Sequence, residues 1–244
     1  MFKKAIQQFK TNHNLSDYTP KAIFFDMDGV LYDSMKFHAQ SWCSAMSEMG
    51  INFSEYEAYL NEGRTGSSTI NGAYNRDFGR NATDDEIRRI YGLKSTYFES
   101  HGPSPLMPFA GELLQKVRSL YMDIYLVTGS GQPSLLESLE KHFPSIFVKE
   151  RMVTAFDVTH GKPHPEPYLQ ALSKSKLSNA EIAVVENAPL GVESAKAAGL
   201  FVIAVNTGPL NASVLQESGA DIVLSGIEEL YYNWENFLNA SSPK

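Results

Sequence analysis

Short, nearly continuous apolar runs punctuate this sequence from residue 21 onward, and stretches of helical periodicity separate them. Residues 21–26 (KAIFFD) are the first run, 123–128 (DIYLVT) the second and 151–155 (RMVTA) a weaker third. Residues 181–185 and 201–205 follow, and 221–224 read as an edge strand. Runs that lack polar alternation are the pattern of strands buried on both faces of a parallel sheet. Between them, Pro133 and Ser134 open a helix over 135–142, and Pro165 opens one over 166–173. Pro189 lies near the start of a third over 190–198, which Gly199 stops. Proline fits the first turn because its missing N–H would be unpaired there anyway, and glycine accepts the left-handed backbone just past the end. Strand alternating with helix predicts an α/β fold, a doubly wound, Rossmann-like parallel-sheet core with right-handed crossovers.

One connection breaks the rhythm. The first strand ends at Asp26, yet the second begins near Asp123, and the residues between are helical in character. A structureless loop of that length is improbable in a compact domain. Residues 35–104 are therefore predicted to form an inserted α-helical cap, with 20–34 and 105–244 as the core. Residues 1–19 form an N-terminal extension, in which Phe2, Ile6 and Phe9 fall at near-helical spacing.

Composition narrows the partners. The 244 residues carry a formal net charge of −7 and no run of Lys or Arg, so no cationic surface for nucleic acid is predicted. Hydrophobic residues make up 43%, enough for a sizeable core. No apolar stretch is long enough to span a membrane, and the N-terminus lacks the apolar centre of a signal peptide. The single cysteine, Cys43, excludes an intramolecular disulfide and fits a reducing compartment. The expectation is a cytoplasmic protein, monomeric or weakly homo-oligomeric.

Four features stand at strand ends, where ligands gather in parallel sheets. Asp26-Met27-Asp28-Gly29 follows the first strand. A carboxylate there can attack a phosphoryl group, and a second one two residues on can move protons. A calcium loop is excluded, since glycine stands fourth rather than sixth and position twelve from Asp26 is Phe37. Thr128-Gly129-Ser130 offers a hydroxyl and backbone N–H groups as a phosphate cradle. Lys162, ahead of Pro163 and Pro165, is placed to offset charge on nucleophile and phosphate. Glu186 and Asn187 follow the fourth strand, and oxygen donors there together with Asp26 suit Mg2+. Helix capping is a second reading of Asn187.

In this order the four features resemble the haloacid-dehalogenase-like superfamily, and the position of the insert resembles members with a helical cap. Asp33, His38 and Trp42 resemble the beta-phosphoglucomutase-like branch, and Arg64 and Lys94 fall where that branch places cap residues that touch substrate. The resemblance implies Asp26 as nucleophile and metal ligand, and Asp28 as acid/base that binds metal through its backbone carbonyl. It implies Thr128 and Lys162 as phosphate-binding, and a small phosphorylated metabolite as substrate. Where the family has Asp, this chain has Asn187, which removes a formal charge from the Mg2+ site. Glu186 is one replacement. Glu62, opening the loop Glu62-Gly63-Arg64-Thr65-Gly66-Ser67-Ser68, is either another or a solvated carboxylate. That loop, with Glu186-Asn187-Ala188-Pro189-Leu190-Gly191, resembles inorganic-pyrophosphatase-like members of the branch. Hydrolysis of pyrophosphate is the first expectation; interconversion of beta-glucose 1-phosphate and glucose 6-phosphate is the alternative. A haloacid dehalogenase would not need Asp28, and only Asn187 favours a non-catalytic binding protein.

Overall fold

The computed structural model describes residues 1–131 and 133–241. Six strands form one parallel sheet: β1 (Ala22–Phe25), β2 (Asp123–Val127), β3 (Met152–Val153), β4 (Ile182–Glu186), β5 (Phe201–Val205) and β6 (Ile222–Leu224). Their spatial order is β3-β2-β1-β4-β5-β6. Every residue of β1, β4 and β5 is buried, which is why those runs carry no polar alternation. The chain winds outward from β1 through β2 to β3, then returns to place β4 on the other side of β1. That reversal leaves a crevice beyond the carboxyl ends of β1, β2 and β4.

Successive strand residues feed opposite faces. Ile23 and Phe25 join a core layer with Phe2, Leu113, Leu135 and Leu230; Ala22 and Phe24 join one with Tyr168, Val192 and Leu215. The first layer is closed by α1 (Phe2–Asn12), α6 (Ala110–Ser119), α7 (Pro133–His142) and α11 (Ile227–Ser241). The second is closed by α8 (Glu166–Ser175), α9 (Pro189–Ala197) and α10 (Ala212–Glu217).

Several elements differ from the sequence-based expectation. The third strand is only two residues, because Thr154 turns away to bond Asp157 Oδ2 through both its N–H and its hydroxyl, each at 2.8 Å. The fourth is shifted by one residue and takes in Glu186. Helices α6, α10 and α11 were not singled out by the pattern. The N-terminal helix is part of the core rather than an appendage: Phe2, Ile6 and Phe9 are buried, and Phe9 meets Tyr18 and Phe201 at 5.4 Å between ring centroids. Burying such a side chain stabilises by about 1.5–3 kcal/mol. Residues 242–244, at the end of the expected core, lie outside the described residues.

Between β1 and β2 the chain forms α2 (Met35–Ser47), α3 (Glu55–Leu60), α4 (Gly66–Phe78) and α5 (Asp84–Ser100). These helices pack around their own apolar centre, which includes Met46, Ile70, Tyr74 and Ile90. Thr83 and Glu86 start α5 with a reciprocal capping box. The two connections to the sheet run side by side. Asp33 N–H donates to Pro105 O and Met107 N–H to Leu31 O, both at 2.9 Å.

Candidate active site

Asp26 is the first residue past β1, and its N–H donates to Val185 O at 3.0 Å, which continues the ladder by one rung. Its carboxylate is 4% exposed. Lys162 reaches it from the loop before α8, Nζ to Oδ1 at 2.6 Å, and the same ammonium donates to Glu186 Oε1 at 2.5 Å and Val127 O at 3.1 Å. Three acceptors satisfy all three ammonium protons. Lys162 itself is 2% exposed, which only such pairing makes tolerable. Burial opposes its charge, yet Asp26 and Glu186 raise its pKa above the ordinary lysine value. Burial pushes the Asp26 carboxyl up to about 8, opposed by Lys162 and reinforced by Glu186 and Asp28.

Glu186 departs from expectation. Its Oε1 accepts from Lys162 and from Tyr168 OH at 2.8 Å, and its Oε2 accepts the N–H groups of Asn187 and Ala188 at 3.0 and 3.2 Å. Two donors on each oxygen match the lone pairs a carboxylate offers. Glu186 positions Lys162 and ties down the two residues, Asn187 and Ala188, that lead into α9. Asn187 is equally far from its capping reading: the N-cap of α9 is Ala188. The Asn187 side chain turns to the cap, where Nδ2 donates to Glu62 Oε1 at 3.0 Å. Its Oδ1 is buried with no hydrogen-bond partner. Gly29 makes room for this amide; a Cβ there would lie 2.0 Å from Asn187 Nδ2, on a backbone with φ of +76°.

Asp28 sits below the cap. Ser34 Oγ donates to its Oδ1 at 2.6 Å, His38 Nε2 lies 3.0 Å from the same oxygen, and Lys94 Nζ lies 2.8 Å from His38 Nδ1. A neutral His38 with its proton on Nε2 satisfies the whole chain, since Lys94 then donates to Nδ1. Burial works against the Asp28 charge, but His38, Ser34 and Lys94 hold its carboxyl below the ordinary value. Burial lowers His38, assisted by Lys94, and lowers Lys94 to about 7 against the pull of Asp28.

The cap is shut against the core. A Cβ on Gly129 would lie 2.3 Å from Gly63 O, so a glycine is needed where the two bodies touch. Between them is a cleft of about 60 Å³, lined by Asp26, Asp28, His38, Glu62, Arg64 and Lys94 among others, with Thr128, Gly129 and Ser130 along one wall. Thr128 is buried, and its Oγ1 accepts Ser130 N–H at 2.9 Å. Arg64 bonds Ser68 Oγ at 3.3 Å, while its buried Nε has no partner. Burial, then Asp26, pushes the Glu62 carboxyl well up.

The arrangement has more carboxylate than cation: Asp26, Asp28, Glu62 and Glu186 face Lys162, Arg64 and the partly neutral Lys94. An orphaned Asn187 oxygen and two carboxyls raised by burial, with neighbouring carboxylates adding to it, describe a place short of positive charge. An oxygen-binding dication such as Mg2+ fits that donor set. The residues that would hold it are Asp26, Glu62, Asn187 through Oδ1, and the Asp28 carbonyl. Sequence reasoning missed Tyr168 and Ser34. Each falls within a helical or turn pattern that explains it without a partner, so only the fold reveals the contact.

The protein family described as haloacid dehalogenase-like hydrolase matches residues 20–199. Hexitol phosphatase A from Escherichia coli is 31% identical, over 86% of this chain and 93% of its own length. Beta-phosphoglucomutase from Bacillus subtilis is 26% identical, over 89% of this chain and 96% of its own. A solved structure from Bacteroides vulgatus, provisionally named a beta-phosphoglucomutase, is 46% identical with a TM-score of 0.96, covering 99% of this chain and 98% of that one.

Proposed function

This chain belongs to the haloacid dehalogenase-like hydrolase family, in its beta-phosphoglucomutase-like branch, and on that footing we propose that it hydrolyses inorganic pyrophosphate through a phosphoenzyme on Asp26. It is a phosphatase or phosphotransferase of that family. The observation that carries the finer reading is the bond from Asn187 to Glu62, which brings a cap carboxylate down to the core. The cleft left beneath, about 60 Å³, has room for roughly four or five water molecules. A compact, highly charged anion suits it; a hexose phosphate would hold the cap away and draw Glu62 off the site.

Asp26 attacks the nearer phosphorus, the bond to the bridging oxygen breaks, and the second phosphate departs with that electron pair. Water then attacks the acyl phosphate and returns the Asp26 carboxylate. Lys162 holds the nucleophile and offsets charge that builds on the transferring group. Bound Mg2+ would neutralise and align the phosphoryl oxygens. Arg64 and Lys94 offer cap cations to the distal phosphate, Arg64 through a planar fork.

The state of Asp28 supports the same reading. Held ionised by His38 and Ser34, it is ready to accept a proton from water. A phosphate leaving group departs without a proton donor, whereas a sugar alkoxide needs one. A second reading is interconversion of beta-glucose 1-phosphate and glucose 6-phosphate, favoured by the likeness to the Bacteroides vulgatus structure. Steady-state kcat/KM with Mg2+ on pyrophosphate, beta-glucose 1-phosphate and glycerol phosphate separates the two. Pyrophosphate is expected to lead by at least tenfold; faster formation of glucose 6-phosphate than of free phosphate would put the mutase first.

A further inference from the structure

Among the described residues, one group of side chains outside the crevice has metal-ligand geometry: His160, His164 and Glu166. The three bracket Lys162 in the strap that joins β3 to α8. A ligand atom from each lies within 4.8 Å of the other two. His160 Nδ1 is 2.9 Å and His164 Nδ1 4.0 Å from the same Glu166 Oε2. Ligands at about 2.1 Å from a tetrahedral ion are spaced about 3.4 Å apart, so these separations bracket what an ion would impose. The imidazole rings already lean together, with centroids 4.7 Å apart.

We propose that His160, His164 and Glu166 form a binding site for a transition-metal dication of the zinc class, separate from the oxygen-lined crevice. The two imidazoles are borderline donors, and with one carboxylate they favour Zn2+, Co2+, Ni2+ or Cu2+ over Mg2+. Both histidines are more than half exposed, so an ion can enter from solvent and keep a water in its open position. Glu166 is prepared for it. Its oxygens accept Thr159 and His160 N–H at 2.8 and 3.0 Å, and the Thr159 bond, followed by the His160 imidazole, holds its carboxyl down, to about 2. Binding replaces two weak contacts: the proton shared by His160 and Glu166, and the 3.2 Å bond from Glu166 N–H to His164 Nδ1. Lys162 does not repel the ion, because its ammonium is buried among Asp26, Glu186 and Val127 O.

The location gives the site a regulatory reach. Gly161 touches the cap, since a Cβ there would lie 2.7 Å from Thr65 Cγ2. An ion joining His160 to His164 therefore fastens the strap on both sides of Lys162, next to Gly161 where it meets the closed cap.

The test is equilibrium dialysis of the tag-free full chain against Zn2+ in excess Mg2+, with His160→Ala and His164→Ala alongside and Glu166→Gln as a third variant. The wild type is expected to retain Zn2+ one-to-one, and each histidine variant to bind at least tenfold more weakly. Co2+ is expected to give a visible absorption band in the wild type only, and Zn2+ to raise the wild-type Tm but not that of folded variants. Equal Zn2+ uptake by wild type and both histidine variants, or its displacement by Mg2+, would overturn the proposal.

Discussion

Glu62, on the cap, accepts a hydrogen bond from Asn187, on the core, at 3.0 Å and across 125 positions of sequence. On the proposed reading, this contact couples closure of the cap to completion of the cation site. Glu62→Ala should therefore raise the Mg2+ concentration needed for half-maximal turnover, and cut kcat/KM for pyrophosphate by about 10–100-fold, the range seen for residues that tune a metal site. A monoester should lose less. Turnover of pyrophosphate at wild-type efficiency across an Mg2+ titration would remove Glu62 from the mechanism.

Asn187→Asp changes both halves of that contact. A carboxylate adds charge for Mg2+ but cannot donate to Glu62, and it sets two anions against each other in the metal-free enzyme. The expected outcome is tighter Mg2+ binding with a weakened preference for pyrophosphate over monoesters. Isothermal titration with Mg2+ and the two kcat/KM values measure this. Unchanged binding would mean the orphaned Oδ1 is not a ligand.

Asp26→Asn should abolish turnover, because an amide cannot form the acyl phosphate. Quenching the wild type during turnover should trap phosphate on the protein, and the variant should trap none. Activity within a few-fold of wild type would reject Asp26 as nucleophile.

Lys162 is a core residue, 2% exposed, so its loss is expected to cost stability as well as turnover. Lys162→Ala leaves the buried Asp26 and Glu186 without their cation, and breaking a buried pair this way typically costs about 3–5 kcal/mol. Chemical denaturation should show that loss. The double variant Lys162→Met with Glu186→Gln should recover part of it, since less uncompensated charge remains. A Lys162→Ala protein as stable as wild type would mean that water enters and solvates the pair.

Lys94 gives a pH dependence. Burial lowers its pKa to about 7 from 10.5, so between those values the unfolded chain binds the extra proton. Stability should rise with pH across that window, and the cost of the buried ammonium is fully present below it. Lys94→Met should therefore gain stability over wild type near pH 6, by up to a few kcal/mol, with the advantage shrinking toward pH 10. Urea denaturation at the two pH values checks this; a pH-independent difference would show that Lys94 stays charged.

The sequence by itself determined the sheet and the mouth of the crevice. Strands buried on both faces must be apolar at consecutive positions, so β1, β2, β4 and β5 stand out, and the polar residues that end them must lie at one edge. Asp26, Thr128 and Glu186 could be placed together on that ground. Strand order and the reversal at β1 do not follow from the runs, because the fixed hand of a crossover sets the face on which its helix packs and not which strand lies beside which.

Tertiary structure decided what each side chain faces. Glu186 and Asn187 are neighbours in sequence, yet one turns to Lys162 and Tyr168 and the other to Glu62. No local pattern encodes that choice, since it depends on which donors arrive from α8 and from the cap. The same holds for α1, whose spacing shows a helix but not the Phe201 and α11 surface it covers, and for the buried chain from Asp28 through His38 to Lys94. Periodicity reports which face of an element is apolar. Hydrogen-bond partners and burial of charge depend on distances between elements, and those exist only once the sheet and the cap have closed on each other.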